Sequence, residues 1–130
     1  PPRKFHISKK HRIVQAACRL IYERLSHPPS TPILAKTLSI SPTSLRSFFK
    51  EITGLSIGSF LTRVRLCEAA ALLHGTPLEI KEVAQRVGYL SVSSFIRSFR
   101  QMARITPLQF RKSGADPSAL KPFLTYPEDR

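Results

Sequence analysis

The sequence predicts an all-α protein built from two helix-turn-helix subdomains that are joined by a long central helix. Three observations support this prediction. A pair of short helices with a tight turn is predicted between Ile80 and Lys112, a similar pair recurs at a shift of 50 residues, and one long helix between them carries two apolar stripes.

The stretch from Ile80 to Lys112 begins with a helical pattern. Its apolar residues recur at i, i+3, i+4 and i+7, as on one face of a helix: Ile80, Val83, Ala84 and Val87. Gly88 follows at a position where a helix end favours a left-handed residue, and Ser91 is a suitable N-cap for the next helix. These signals predict two short helices that are joined by a tight turn.

The second helix of this pair has two chemically different faces. Phe95, Phe99 and Met102 share one face. At about 100° per residue, the opposite face is polar and basic: Ser93, Arg97 and Arg100. A helix-turn-helix with such an outer face makes its second helix a candidate reader of a DNA major groove.

At these positions the sequence resembles the AraC/XylS family of bacterial transcription regulators. The matched residues are Ile80, Val83, Ala84, Gly88, Tyr89, Ser94, Phe95, Arg97, Phe99, Arg100, Thr106, Pro107, Phe110 and Arg111. One position departs, because the family usually has glycine where Arg104 stands. The resemblance implies homeodomain-like units joined by a long helix. It also implies transcriptional control, usually activation through contact with RNA polymerase.

Composition restricts the possible partners. The chain has 130 residues, and 21 Lys and Arg against 8 Asp and Glu give a net charge of +13, which fits nucleic acid or an anionic membrane. No apolar run reaches the roughly 18 residues of a membrane span, and no signal peptide is visible, so a cytoplasmic protein is expected. The chain starts at Pro1, which indicates a fragment or a processed chain. We expect this fragment to be monomeric, with an effector or dimerisation domain possible outside it.

The side-chain inventory contains no recognisable catalytic or metal site. Cys18 and Cys67 sit in apolar helical surroundings, which favours two small buried residues over a disulfide or a reactive thiol. The four histidines lack metal-ligand spacing, and paired carboxylates, a nucleophile elbow and a phosphate loop are missing. We therefore expect no enzyme activity, no catalytic residues, no metal and no cofactor.

The predicted organisation has five segments. They are a basic N-terminal arm or linker (1–8), a first helix-turn-helix subdomain (9–55), a linker helix (56–75), a second subdomain (76–112) and a Pro-containing C-terminal tail (113–130). The arm is either a solvated linker or a phosphate contact. The tail is either flexible or docked on the domain through its apolar residues Leu120, Phe123, Leu124 and Tyr126.

The first subdomain is predicted to contain three helices. The first runs from about Lys9 to Ser26 and ends before the prolines of 27–30, Thr31 caps the second, and Ser41 caps the third, which ends near Thr53. The apolar face of the first helix is expected to contain Ile13, Ala16, Ala17, Leu20 and Leu25.

An internal repeat relates the two subdomains. At a shift of 50, the paired positions are Leu45 with Phe95, Phe49 with Phe99, Gly54 with Arg104, Ser56 with Thr106 and Phe60 with Phe110. Ala35 matches Ala84 at a shift of 49, so the second turn is one residue longer. The core face of the first copy is expected to contain Leu45, Phe48, Phe49 and Ile52, and its outer face Thr43, Ser47 and Lys50, with Arg46 on its flank.

The central helix is predicted from Ile57 to His74, with Gly75 at its end. Its two stripes, about 120° apart, are Phe60, Val64, Cys67 and Ala71, and Leu66, Ala69, Ala70 and Leu73. Two stripes suggest a spine between two bodies, although a core helix of a single bundle remains an alternative. Arg63 and Arg65 fall between the stripes or face solvent and are not assigned to DNA. The stretch 76–79 reads as a capping box for the following helix.

We predict sequence-specific binding to double-stranded DNA, with two recognition helices in successive major grooves. The residues expected to read base edges are Thr43, Arg46, Ser47, Val92, Ser93, Ile96 and Arg97. Those expected to contact phosphate are Ser41, Lys50, Ser91, Arg100 and Arg104. The alternatives are a sequence-neutral nucleoid-type binder and a basic protein-interaction module that binds an acidic partner. Ser, Thr and Ile occur among the basic residues, which favours base-specific recognition over binding by charge alone.

Overall fold

The computed structural model describes residues 8–118 and Leu120. This part of the chain contains helices and no strand, so the all-α prediction is confirmed. Its seven helices are α1 (Lys9–Glu23), α2 (Thr31–Thr37), α3 (Pro42–Thr53), α4 (Ile57–Gly75), α5 (Ile80–Arg86), α6 (Val92–Ala103) and α7 (Pro107–Ser113). The predicted basic arm lies almost wholly outside the described residues, as do Phe123, Leu124 and Tyr126 of the tail.

The chain divides into two compact units, and the division falls inside α4. Among the described residues, the first unit contains 8–24 and 28–59. The second contains the described residues 25–27, 60–118 and Leu120. Each unit therefore contains one of the two helix pairs, α2–α3 or α5–α6.

In the first unit, α3 packs against both α1 and α2. The predicted buried face of α1 is only partly right. Ala16 and Leu20 are half-buried, Leu25 lies beyond the end of α1, and the residues that α1 buries are Ile13, Val14, Ala17, Cys18 and Ile21. The two sets overlap on neighbouring sides of one helix, and both satisfy the helical period, so tertiary packing decides between them. The helix also ends at Glu23, earlier than the predicted Ser26.

Two predicted helix starts need correction. Ser30 caps α2 by accepting the Ile33 N–H at 3.4 Å, so the predicted cap Thr31 is already the first helical residue. The predicted capping box at 76–79 does not form, because α5 begins at Ile80 and its N-cap makes no side-chain bond. Thr76 instead donates its hydroxyl to the Leu72 carbonyl at 2.7 Å. The Thr76 hydroxyl therefore caps the C-terminal end of α4, where the last carbonyls have no partner inside the helix.

The second unit is built around aromatic rings. The centroids of Phe95 and Phe99 lie 5.9 Å apart, and Phe99 meets Phe110 edge-on at 5.5 Å. Such tilted and edge-to-face pairs add to the stability that area burial already gives. The remaining buried members of this core are Leu66, Ala69, Ala70, Leu73, Val83, Ala84, Val87 and Leu120.

The two stripes of α4 differ in burial. The stripe that contains Leu66 and Leu73 is buried along its whole length, as predicted. In the other stripe Phe60 and Val64 are buried and Cys67 is half-buried, but Ala71 is exposed, so its assignment was wrong. Exposing one methyl group costs little, so alanine is a weak indicator of which face is buried.

The chain beyond α7 returns to the core of the second unit. Asp116 accepts the Ser118 N–H at 2.9 Å, and Leu120 is buried in the aromatic core. The Cys67 thiol donates to the Leu120 carbonyl at 3.6 Å. Burial raises the pKa of this thiol to about 11. Cys18 is buried, as predicted, and Cys67 is half-buried; the two do not form a disulfide. The docking alternative for the tail is therefore confirmed at Leu120.

Candidate nucleic-acid interface

The two helix pairs repeat the same local geometry. Each consists of a 7-residue helix followed by a 12-residue helix. In the first turn Ser39 has φ +60°, and the next N–H bonds to the Ala35 carbonyl at 3.0 Å. In the second turn Gly88 has φ +99°, and the next N–H bonds to the Ala84 carbonyl at 2.9 Å. The repeat found in the sequence is therefore also a structural repeat.

A serine caps each second helix. Ser41 accepts the Ser44 N–H and Ser91 accepts the Ser94 N–H, both at 3.0 Å. Each capping hydroxyl also donates to the hydroxyl of the serine whose N–H it accepts, at 3.0 Å in α3 and 2.9 Å in α6. Ser41 and Ser91 were predicted to contact phosphate. Their hydrogens are already engaged, so a phosphate contact would require the hydroxyl to rotate.

The outer face of α6 is polar, basic and accessible. Ser93, Arg97 and Arg100 are exposed, while Val92 and Ile96 are half-buried beside them. The helix contains no acidic residue. Within the described part of the chain, neither arginine has an ion-pair partner. Both guanidinium groups are thus available to an anionic or hydrogen-bond-accepting partner.

The outer face of α3 is arranged in the same way. Its predicted reading and phosphate residues are all exposed: Thr43, Arg46, Ser47 and Lys50. The acid next to them, Glu51, pairs with Lys10 of α1 at 3.3 Å. The Lys10 ammonium also lies 5.2 Å from the centroid of the Phe48 ring. Glu51 is therefore held towards α1, which sequence reasoning did not foresee because the partners are 41 residues apart.

Both 12-residue helices end on a left-handed residue. Gly54 has φ +79° and donates its N–H to Lys50 at 2.8 Å, and Arg104 has φ +71° and donates to Arg100 at the same distance. Arg104, whose side chain is exposed, thus adopts the backbone conformation that favours the family's usual glycine. This conformation is strained for any side chain with a Cβ atom.

Arg104→Gly is therefore expected to stabilise the protein by about 1 kcal/mol, because the relief of left-handed strain exceeds the added chain entropy. Urea denaturation followed by circular dichroism measures the change. Gln101→Gly is the matched control within the same helix, where glycine should destabilise by about 1 kcal/mol. Destabilisation by Arg104→Gly would show that the arginine side chain itself supports the fold.

Arg65 of α4 holds the turn of the second helix pair. Its Nε donates to the Leu25 carbonyl at 3.3 Å, and its guanidinium lies 5.9 Å from the centroid of the Tyr89 ring. A Cβ atom on Gly88 would come within 2.7 Å of the same guanidinium. Burial lowers the pKa of Arg65 from its ordinary value. No local pattern could reveal this role, because Leu25 lies 40 residues away.

Arg111 is likewise structural and holds the end of α4. Its Nε donates to the Leu73 carbonyl at 2.9 Å, and its Nη2 donates to the Thr76 carbonyl at 3.2 Å. Carbonyls at a helix C-terminus have no partner inside the helix, and a cation is favourable there. The sequence identified this arginine only through the family resemblance.

The described residues were also compared with the requirements of a membrane span and of a metal-ligand group. No helix there is long and apolar enough to cross a membrane. Across 8–118 and Leu120, no three His, Cys, Asp or Glu side chains come together as metal ligands.

Comparison with known proteins identifies the family. A helix-turn-helix domain model matches residues 34–113. The transcriptional activator RhaR of Yersinia pseudotuberculosis is 36% identical over 69 residues, which are 53% of this chain and 24% of RhaR. The chain spans about a quarter of the length of the curated relatives it matches.

Solved structures agree with this match. The C-terminal domain of the response regulator AraT from Geobacillus stearothermophilus is 33% identical with a TM-score of 0.74, over 82% of this chain and 88% of that domain. An AraC-type transcriptional regulator from Chromobacterium violaceum is 26% identical with a TM-score of 0.77, over 82% and 95%. With its two capped helix pairs, this chain belongs to the AraC-type helix-turn-helix family and comprises the DNA-binding domain of a transcription regulator.

Proposed function

We propose that this domain binds one specific double-stranded DNA sequence, with α3 and α6 each reading a major groove, as part of a regulator that activates transcription. One observation supports this most directly. A turn with one left-handed residue, a serine cap and an exposed polar-basic face occur twice in one chain. A helix face that is only exposed to solvent would be polar and charged, but it would not require the same serine cap and left-handed turn residue in both copies.

The outer faces of α3 and α6 suggest which residues contact base edges and which contact phosphates. Arg46 and Arg97 suit the O6 and N7 acceptors of guanine, and Val92 and Ile96 suit thymine methyl groups. Hydroxyl groups at Thr43, Ser47 and Ser93 can bond to either kind of base edge. The proposed phosphate contacts, which supply affinity without sequence information, are Ser41, Lys50, Ser91, Arg100 and Arg104.

Two recognition helices that differ in sequence, on one chain, imply an asymmetric DNA site. Serine in one copy stands where the other has arginine, at Ser47 and Arg97, so the two half-sites should differ in sequence. Half-sites read from one face of DNA lie about 34–36 Å apart, or one helical turn. One chain should then fill the site as a monomer. A footprint confined to one major groove, or a palindrome filled only by two chains, would contradict this arrangement.

Activation is the part of the proposal that rests on relatives. RhaR is named a transcriptional activator, and the family resemblance implies contact with RNA polymerase in the bacterial cytoplasm. The test is transcription in vitro from a promoter that carries the selected site, with the full-length regulator and with a binding-defective variant. More transcript with the wild type alone is expected; less transcript would indicate a repressor.

Specific reading is tested by selecting bound sequences from a random DNA pool. The selected duplex should compete against random DNA at least about a thousandfold better. Equal competition would favour the sequence-neutral nucleoid-type alternative. An acidic protein that binds more tightly than any duplex would favour the protein-interaction alternative.

Arg97→Ala should weaken binding to the selected duplex by about 1–3 kcal/mol and relax selectivity at one or two base pairs. The reason is position, because Arg97 is exposed near the middle of the outer face of α6 without an ion-pair partner in the described part of the chain. The measurement is a titration of the selected duplex and of its single-base variants. Equal loss on selected and random DNA would remove Arg97 from the base-reading residues.

Lys50→Ala is the matched control. The Lys50 side chain is exposed in the last turn of α3, and an ammonium suits phosphate as a point charge. Its loss should weaken all sequences alike and reduce the salt dependence of binding by about one counterion. The contrast between the two variants separates base reading from phosphate contact.

A further inference from the structure

Leu90 is an unusually exposed apolar side chain. Its relative exposure is 106%, whereas the other exposed large apolar residues within 8–118, Tyr22, Leu108 and Ile33, range from 41% to 57%. Single exposed leucines are common and need no explanation by themselves. Leu90 differs because of where it lies, in the turn between α5 and α6.

Leu90 is the extra residue of the second turn. Ile40 and Tyr89 are equivalent, because each donates its N–H to the matching alanine carbonyl of the preceding helix at a shift of 49. Ser41 and Ser91 are equivalent caps at a shift of 50. Between these two correspondences Leu90 has no counterpart in the first copy. The insertion therefore places one leucine in the second reading unit alone.

The neighbours of Leu90 are fixed on both sides. The Tyr89 ring packs against Phe95 with centroids 5.4 Å apart, and its backbone N–H bonds to Ala84. Ser91 caps α6. The leucine is therefore held next to the N-terminal end of α6, and this end of a recognition helix is the one that approaches base edges.

We propose that Leu90 contacts DNA and packs its side chain against the C5-methyl group of a thymine in the half-site read by α6. This inference rests on the proposed function. A leucine side chain has no hydrogen-bonding group, and the apolar feature of the major groove is the thymine methyl group. The first copy lacks this residue, so the added thymine preference belongs to one half-site only.

The probe is the duplex selected from a random pool, in which each thymine is replaced in turn by 2′-deoxyuridine, which removes only the methyl group. At one position, outside those sensed by Val92 and Ile96, this change should weaken wild-type binding several-fold. Leu90→Ala should bind the unmodified duplex about tenfold more weakly and lose sensitivity at that position alone. Leu108→Ala, an exposed leucine on α7, is the control and should leave the whole profile unchanged.

An unchanged deoxyuridine profile in Leu90→Ala would overturn the contact, as would unchanged affinity or a loss without any thymine dependence. In those cases the wild type would still prefer the selected duplex, so the proposed function would stand. If the wild type showed no such preference, DNA reading itself would fail and the contact would fail with it. Leu90 is exposed, so its replacement should leave the melting temperature unchanged, which separates lost contact from lost fold.

Discussion

Phe99→Ala is expected to lower the free energy of unfolding by about 3–5 kcal/mol. Phe99 is completely buried and packs between the rings of Phe95 and Phe110, so alanine removes two aromatic contacts and leaves a cavity. The total stability of a domain is about 5–15 kcal/mol, so this one change removes a large part of it. Urea denaturation followed by circular dichroism gives the measurement.

Gln101→Ala is the control for this experiment, because Gln101 is exposed on the same helix and should change stability by less than about 0.5 kcal/mol. DNA footprinting should show the consequence for function, with protection lost first in the half-site that α6 reads. A Phe99→Ala protein with the stability of the control would mean that the ring cluster does not hold the second unit together.

Gly88→Ala is expected to destabilise by about 2 kcal/mol, in two roughly equal parts. The first is the left-handed backbone, with φ +99°, which disfavours any Cβ atom. The second is displacement of the Arg65 guanidinium, which a Cβ atom would approach to 2.7 Å. The flexible arginine can move away, but it then leaves the Leu25 carbonyl and the Tyr89 ring.

Gly54→Ala measures the cost of the left-handed backbone conformation alone. Gly54 has φ +79°, and a Cβ atom there would meet nothing within 4 Å. Its replacement should therefore cost about 1 kcal/mol less than Gly88→Ala. In an Arg65→Ala background the difference should disappear, because the displaced group is already missing. Equal costs in the unmodified protein would show that Arg65 contributes nothing to the turn.

Much of the fold was predictable because local signals determine helix ends. Ser41 and Ser91 cap their helices where predicted, and α3 ends at Thr53. The errors lie where two local bonds compete for one side chain or where the contact is distant in sequence. Thr76 could have capped the following helix, but it bonds to the end of the preceding one. The burial of Leu120 brings its carbonyl to the Cys67 thiol, 53 residues earlier, and no periodicity can reveal such a distant contact.

The candidate interface shows the same distinction. The exposure of Arg97 and Ser47 followed from helical geometry, because it needs only the direction of the apolar face. Arg65 and Lys10 have partners that are distant in sequence, so their roles required the folded chain. Leu90 is intermediate. Aligning the two copies reveals an extra residue, but only the structure identifies which residue is extra and that it is exposed.

The internal repeat also has an evolutionary consequence. In each copy stability depends on buried positions, such as Phe49 and Phe99, while the exposed outer positions differ between copies, as at Ser47 and Arg97. Exposed substitutions usually change stability by less than about 0.5 kcal/mol, so mutations there are nearly neutral for folding. If α3 and α6 read separate half-sites, as we propose, the preference at one half-site can change while the other half-site still anchors the domain, so binding specificity can drift stepwise without loss of the fold.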